Sequence, residues 1–333
     1  MAWAGVAFDA ARPARHALPM AQSRNRCFLF VCLAASLALG ACAGAPRRIE
    51  ATAPLNPREA VSIYRGDTGQ RAGWEELVST AAAADAVMIG ETHGHPLGLA
   101  FAAALWEDVL ARTDRAALSL EFIERDSQVH LDDYLGGLID EEQFRKASGR
   151  SQGNYPDGHR TMVEAAKRAG RPVIASNAPR RYVRLARTSG YSRLETLTDE
   201  QRRLFVIPPE MPSGRYREEF FKLMSGMGDA SHAGEGMIEA IFRSQSLWDA
   251  TMADAVASSL AEGNRPVMHV IGRFHTDFEG GTVQLLRRAR PGVRILTLSV
   301  IDSTGPSLAD TDLGRADFVV YAGSSGAGSS GSP

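Results

Sequence analysis

The chain has 333 residues, of which 44% are hydrophobic, and its formal net charge at pH 7 is −2. A length of roughly 300 residues is enough for one large core or two smaller ones. The near-neutral charge excludes a protein that binds nucleic acid electrostatically over its whole surface, so no nucleic-acid partner is expected.

The N-terminal region predicts an export signal. Arg24 and Arg26 precede an apolar run over residues 27–39, which is too short to favour a membrane-spanning helix. The last residue of the run and the three residues after it form Leu39-Gly40-Ala41-Cys42, which resembles a bacterial lipobox. That resemblance implies that Cys42 becomes the lipidated first residue of the mature protein. An ordinary secretory signal cut close to this position is the alternative.

The signal is assigned to residues 20–42, with either Met1 or Met20 as the start. Its removal leaves Cys42 as the one cysteine of the mature chain, so no internal disulfide and no Cys-based metal site is expected. Acyl chains on Cys42 would hold the protein on a membrane surface without spanning it. Asp is absent from the two positions after Cys42, and the lipoprotein resemblance therefore implies a cell-envelope protein of the outer membrane.

A tether is predicted at 43–60, and the residues after it, 61–321, predict a single α/β domain. Short apolar runs favour buried parallel strands, and helical patterns follow most of them. These runs lie at 86–89, 117–120, 172–175 and 267–271. Two further strands are predicted at 294–300 and at 318–321, the second at an edge of the sheet.

The predicted fold is a mostly parallel central sheet flanked by helices, with a helical insertion at 199–262. The insertion is long enough to form a cap over the strand ends. Residues 322–333 predict a flexible Gly/Ser tail, because they contain almost nothing that a core could bury.

Each of the four apolar runs ends in acid, histidine or amide residues. In an open α/β sheet, ligands bind beyond the carboxyl ends of the strands. We therefore expect one shared site at that edge, formed by Glu91, His93, Glu121, Asn177 and His275.

Two carboxylates and two imidazoles suit two kinds of chemistry. Glu91, His93, Glu121 and His275 could hold a divalent ion such as Mn²⁺, Zn²⁺ or Fe²⁺. They also suit general acid/base catalysis without a metal, because a buried carboxylate pair pushes its pKa values apart. His95 is either a further metal ligand in a His-x-His loop or a solvated residue.

Basic and aromatic residues follow the run at 172–175. Arg180, Arg184 and Arg187 share one helical face, where they could hold carboxylates or phosphates or form a solvated face paired to acids. Tyr182 and Tyr155 are candidate phenolate ligands of haem iron or packing residues.

Three polar residues further along the chain are also candidates. His159, near a predicted helix start, can point toward the strand edge. Asp249 lies among apolar residues of a predicted helix, so it either faces the site or is exposed. His269 lies inside a predicted strand, where we expect a core histidine bonded to a neighbour.

An ordered set of motifs behind the lipobox resembles the ChaN family of bacterial haem-binding lipoproteins, which are linked to iron uptake. The motifs, which span roughly 80–300, are Gly90-Glu91-Thr92-His93, Glu121, Ala175-Ser176-Asn177-Ala178-Pro179-Arg180, Trp248-Asp249-Ala250-Thr251-Met252-Ala253 and Gly272-Arg273-Phe274-His275. The same plan occurs in the wider superfamily of erythromycin esterase and the Tiki/TraB metalloproteases. The resemblance implies an α/β fold with its site at the strand ends. ChaN-like proteins have further histidines shortly after Gly-Glu-x-His, where this chain has only His95.

The ChaN resemblance implies a lipoprotein that binds haem or iron and works with a haem-uptake transporter. Glu91, His93, Glu121 and His275 would line the pocket, a tyrosine could contact iron, and Arg180 or Arg181 could hold the propionates. The alternative is a hydrolase of esterase or metallopeptidase type. In that enzyme His93 or Glu91 would activate water, with or without a divalent ion, and His275 would stabilise developing charge. A third hypothesis is a surface lipoprotein with only a structural role.

Overall fold

The computed structural model describes residues 55–151, 154–226 and 235–323. The predicted signal at 20–42, the predicted lipidation site Cys42 and most of the tether at 43–60 lie outside these residues. Almost all of the predicted tail at 322–333 also lies outside them.

A seven-stranded sheet organises the described part of the chain. Its spatial order is β1-β7-β6-β2-β5-β3-β4, and every neighbouring pair is parallel except β1 and β7. The strands are β1 Ser62–Arg65, β2 Ala86–Glu91, β3 Ala117–Glu124, β4 Val173–Asn177, β5 Val267–Gly272, β6 Ile295–Ile301 and β7 Phe318–Tyr321. The prediction of a mostly parallel sheet is confirmed. The strand at 318–321 is not at an edge, because β1 pairs with it on the outside.

Helices connect and cover the strands. Over the described ranges they are α1 Pro57–Ala60, α2 Trp74–Ala83, α3 Pro96–Leu110, α4 Gln128–Leu135, α5 Glu141–Ala147, α6 Asp157–Ala169, α7 Arg180–Ser189, α8 Tyr191–Glu195, α9 Asp199–Arg202, α10 Arg215–Gly226, α11 Glu235–Ala261 and α12 Gly281–Ala289. None of the helices in these ranges is both long enough and apolar enough to cross a membrane.

The sheet divides the core into two layers, because alternate side chains of a strand point to opposite faces. Val87 and Ile89 of β2 pack in the larger layer, with residues of α2, α3 and α6. Ala86 and Met88 of the same strand pack in the other layer, with residues of α11 and α12. Strands buried on both faces need apolar side chains at nearly every position, which is why β2 and β5 read as continuous apolar runs.

The predicted insertion at 199–262 contains α11, which packs in two places. Val256 and Leu260, in the second half of α11, pack on the face of the sheet. Phe242, earlier in the same helix, packs with Phe220 of α10, and Phe220 in turn packs with Phe274, two residues after β5. One helix therefore covers a sheet face and also reaches the carboxyl edge.

We predict that Gly90→Ala lowers the free energy of unfolding by about 1–3 kcal/mol, because β2 ends tightly against the loop after β5. A Cβ on Gly90 would lie 2.3 Å from Thr276 Oγ1 and 2.9 Å from Arg273 Cα. Gly73→Ala is the matched control, because nothing lies within 4 Å of a Cβ there. Urea unfolding measures both changes. Equal stability of the two variants would contradict the close approach.

Candidate functional site

A buried carboxylate at the end of β2 holds two histidines. Glu91 is 2% exposed, and both of its oxygens accept hydrogen bonds. Oε1 lies 3.0 Å from His93 Nδ1, and Oε2 lies 2.8 Å from His159 Nε2. The side chain of Glu91 reaches His159 because residues 87, 89 and 91 of β2 share one face, on which α6 packs.

The hydrogen bonds between Glu91 and its two histidines shift the pKa values of Glu91 and His93. Burial acts to raise the pKa of Glu91, but the hydrogen bonds from His159 and His93 outweigh it and hold that pKa below its usual value. The hydrogen bond to Glu91 raises the pKa of His93, and the charge of Glu121 adds to the effect. Glu91 is therefore ionised, and each histidine presents an N–H to it.

The two histidines differ in exposure. The side chain of His93 is 57% exposed, whereas that of His159 is fully buried. Phe122 lies between them, with its ring centroid 5.1 Å from His93 and 4.2 Å from His159. His93 Nε2 makes no hydrogen bond with the described part of the chain, and the ring as a whole is partly open to solvent.

A second carboxylate–imidazole pair lies on the other face of the sheet. Asp249 of α11 is fully buried, and its Oδ1 lies 2.7 Å from His275 Nδ1. Tyr216 and Thr282 donate further hydrogen bonds to Asp249, over 2.6 and 2.7 Å. These three hydrogen bonds satisfy a carboxylate that would otherwise be costly to bury.

The surroundings of His275 favour its protonated form. Burial acts to lower its pKa, but the charge and hydrogen bond of Asp249, together with the charge of Glu121, raise that pKa above its usual value. Glu121 Oε1 lies 3.9 Å from His275 Nε2. His275 is only 6% exposed, so it is far less accessible than His93.

Gly272, the last residue of β5, joins the two groups. Its N–H donates to Glu121 Oε2 over 2.5 Å. The ring of His93 lies so close that a Cβ on Gly272 would come within 2.8 Å of His93 Nε2. The order β2-β5-β3 places these residues side by side, as expected for parallel strands that end at one edge.

Two other histidines have structural partners. His95 caps α3, where its Nδ1 accepts the Gly98 N–H over 3.0 Å and its Nε2 bonds the Gly323 carbonyl over 3.1 Å. Both ring nitrogens are engaged, so His95 is neither the solvated residue nor the His-x-His metal ligand considered from the sequence. His269 is a core histidine bonded to Ser119 over 2.9 Å, as predicted, and burial lowers its pKa to about 3.

The residues after β4 make contacts of their own. Tyr182 of α7 is buried against Phe205 of the helical insertion, so it has the packing position that was one of its two alternatives. Arg181 pairs with Asp126 over 2.5 Å, and Arg180 is largely exposed, with Nε 3.7 Å from Glu124 Oε1. Arg184 and Arg187, which share the helical face of Arg180, are exposed as well.

Asn177 and Tyr155 also make local contacts. The Oδ1 of Asn177 accepts the N–H of Ala178 over 2.9 Å, and its strand β4 lies at the edge of the sheet. Tyr155 is buried beside Phe144, which removes it as an iron ligand. The strand-edge site therefore consists of Glu91, His93, Glu121, His159, Asp249 and His275, without Asn177.

A divalent-metal site finds no support in this geometry. Within residues 55–151, 154–226 and 235–323, no group of three or more His, Cys, Asp or Glu side chains is arranged to hold a metal ion. The imidazoles instead pair with separate carboxylates on opposite faces of the sheet.

Sequence reasoning missed several members of the site. Tyr216 and Thr282 hold Asp249 but come from α10 and α12, and nothing in their local sequence marks them. Phe122 could have been found, because it follows Glu121 directly and so must lie at the same strand end.

Fold and site together define an α/β protein with carboxylate–imidazole pairs at the strand ends. The family described as haem-binding uptake, Tiki superfamily, ChaN matches residues 77–286, and the chain belongs to this family. No curated protein matches the chain.

A solved structure supports the fold. ChaN of Campylobacter jejuni, with cofacially bound haem, superposes with a TM-score of 0.63 at 16% identity, over 80% of this chain and 99% of that chain. The type III effector HopBA1 has a TM-score of 0.42 at 15% identity, over 81% of this chain and 99% of that chain. An erythromycin esterase EreC mutant in its open conformation has a TM-score of 0.42 at 13% identity, over 78% and 82% of the two chains.

We predict that Glu91→Gln lowers the pKa of His93 toward the ordinary histidine value, because the hydrogen-bonded negative charge is lost. The pH titration of the His93 ring protons by NMR measures this change. Glu195→Gln, at an exposed position, is the control and should leave the titration unchanged. An unaltered His93 pKa in Glu91→Gln would contradict the geometry.

Proposed function

We propose that this protein binds haem at the carboxyl edge of its sheet, with His93 Nε2 as the ligand of the iron. One observation carries the proposal. The imidazole of His93 is exposed, its Nδ1 is tied to the buried Glu91, and its Nε2 is free. Histidines that bind metals almost always donate their other N–H to a carboxylate, a carbonyl or water in this way.

The donor set fits haem with histidine, not tyrosine, as the axial ligand. Tyr182 and Tyr155 are buried in packing contacts, whereas His93 faces solvent. A haem iron held by one histidine is a common arrangement. Bound haem would supply an iron centre, and the chain would supply the ligand and its orientation.

Other charges of the edge would support an anionic porphyrin. The ionised Glu91 makes the His93 ring a stronger ligand, because the hydrogen bond increases the basicity of Nε2. Arg180 has a side chain that is 87% exposed and only a 3.7 Å contact with Glu124, so its guanidinium could pair with a propionate.

We further propose that the protein acts in iron uptake from a lipid-anchored position in the cell envelope, with a haem-uptake transporter as partner. Two observations support this. The segment Leu39-Gly40-Ala41-Cys42 follows an apolar run as in a bacterial lipobox, and the family to which the chain belongs is described as one of haem-binding uptake.

A hydrolase is the second candidate, and one observation favours it. His275 is oriented by Asp249 at 2.7 Å, with Glu121 at 3.9 Å, so that two carboxylates flank a protonated imidazole. A buried imidazole oriented by a carboxylate is the arrangement that acid/base catalysts use. In that enzyme His93 would activate water and His275 would stabilise developing negative charge.

We predict that the chain from residue 43 onward binds haemin saturably with a shifted Soret band. His93→Ala should weaken that binding about tenfold or more, because the iron loses its ligand. Absorbance titration measures the affinity. His130→Ala, on α4, and Tyr182→Phe are the controls and should bind haemin as the parent chain does. A parent chain without a saturable shift would contradict haem binding and favour the hydrolase.

We predict that Cys42→Ala moves the full-length protein from the membrane fraction to the soluble fraction and abolishes labelling by radioactive palmitate, because the acylated sulfur is lost. Cys32→Ala, inside the predicted signal, is the control and should change neither result. A Cys42→Ala protein that stayed in the membrane fraction with its label would contradict lipidation at this residue.

A further inference from the structure

A cleft of about 510 Å³ opens between α10 and the loop that follows β5. Its volume lies in the range of clefts that hold small organic molecules. The wall includes Arg215, Tyr216, Leu223, Arg273, Phe274 and Phe278. None of these residues belongs to the Glu91–His93–His159 trio, so the cleft is separate from the proposed iron ligand.

Aromatic side chains form much of the wall. The rings of Tyr216 and Phe274 lie 5.3 Å apart, and Phe278 is half-buried beside them. Leu223 is 45% exposed, so it presents apolar surface to the cleft. Aromatic faces attract flat conjugated rings, which gain stacking energy beyond the burial of apolar area.

The cleft also contains an excess positive charge. Asp277 forms an ion pair with Arg273. Arg315 forms ion pairs with both Asp277 and Asp312, over 2.6 and 2.7 Å. Arg215 differs, because its guanidinium makes no hydrogen bond or ion pair within the described ranges. It lies 3.4 Å from the centroid of the Phe278 ring. The remaining acid of the wall, Glu219, lies 3.9 Å from Lys222.

The backbone at Phe278 is unusual. Phe278 and Glu279 have φ angles of 53° and 59°, the left-handed region that side chains other than glycine rarely adopt. The Phe278 N–H donates to the Arg315 carbonyl over 2.7 Å, which helps to hold this conformation. Such strained residues cluster at ligand-binding sites, and here the strain keeps an aromatic ring beside the unpaired Arg215.

We propose that this cleft binds an aromatic anion, with its ring system against Phe274 and Phe278 and its carboxylate or sulfonate on Arg215. Charge-assisted hydrogen bonds from a guanidinium suit both kinds of anion. The cleft also touches the second histidine group, because Tyr216 in its wall donates to Asp249, which holds His275. This site is additional to haem binding at His93 and does not depend on it.

The test uses two fluorescent probes of similar aromatic body, 8-anilinonaphthalene-1-sulfonate and the uncharged N-phenyl-1-naphthylamine. The anionic probe should bind the chain from residue 43 onward saturably, at one molecule per chain. Arg215→Gln should weaken the anionic probe on the order of tenfold and leave the uncharged probe unchanged, because only the charge contact is lost. Arg187→Gln, an exposed arginine of α7, is the control and should change neither affinity.

Two further measurements make the result specific. Near-ultraviolet circular dichroism should show that Arg215→Gln keeps the parent fold. His93→Ala should keep the affinity for the anionic probe, so a failure of haem binding leaves this proposal testable. Non-saturable binding, an Arg215→Gln affinity equal to that of the parent, or loss of the probe in His93→Ala would each overturn the proposal.

Discussion

The site depends on one buried carboxylate that accepts hydrogen bonds from two imidazoles. Glu91 is almost fully removed from water, and a buried charge of this kind is tolerated only when its partners satisfy it. His159 satisfies one oxygen from the protein interior, and His93 satisfies the other from the surface. The orientation of His93, the freedom of its Nε2 and its raised pKa all follow from this arrangement.

The alternation of strand side chains explains why the histidines form two groups and not one. Odd-numbered positions of β2 face α6, so Glu91 meets His159 there. Ser119 and Glu121 of β3 point to the other face, where they meet His269 and His275. Gly272 lies between the groups, and its missing side chain leaves room for the His93 ring. The two groups meet at the strand ends, but within the described residues no three of their side chains are arranged to hold a metal ion.

The sheet and the polar residues at its strand ends could be predicted from the sequence, because parallel strands end at one edge. Glu91, Glu121 and His275 lie together for that reason, and the family match over residues 77–286 agrees with the motifs that carry the resemblance. Helices were harder to place, because tertiary packing and not the strand end decides how a helix is rotated. Tyr182 consequently packs against Phe205 of the insertion, and His95 caps α3. Tyr216 supports Asp249 from a distant helix, and no local pattern could indicate that contact.

The most direct test of this account is the tautomer of each histidine, read from long-range proton–nitrogen NMR correlations above the His93 pKa. If Glu91 is an ionised acceptor between two donors, neutral His93 carries its proton on Nδ1 and His159 carries its proton on Nε2. That result would leave His93 Nε2 as a free lone pair at the surface, ready to bind iron. A neutral His93 protonated on Nε2 would contradict the account, because the lone pair would then point at the carboxylate and not at the ligand.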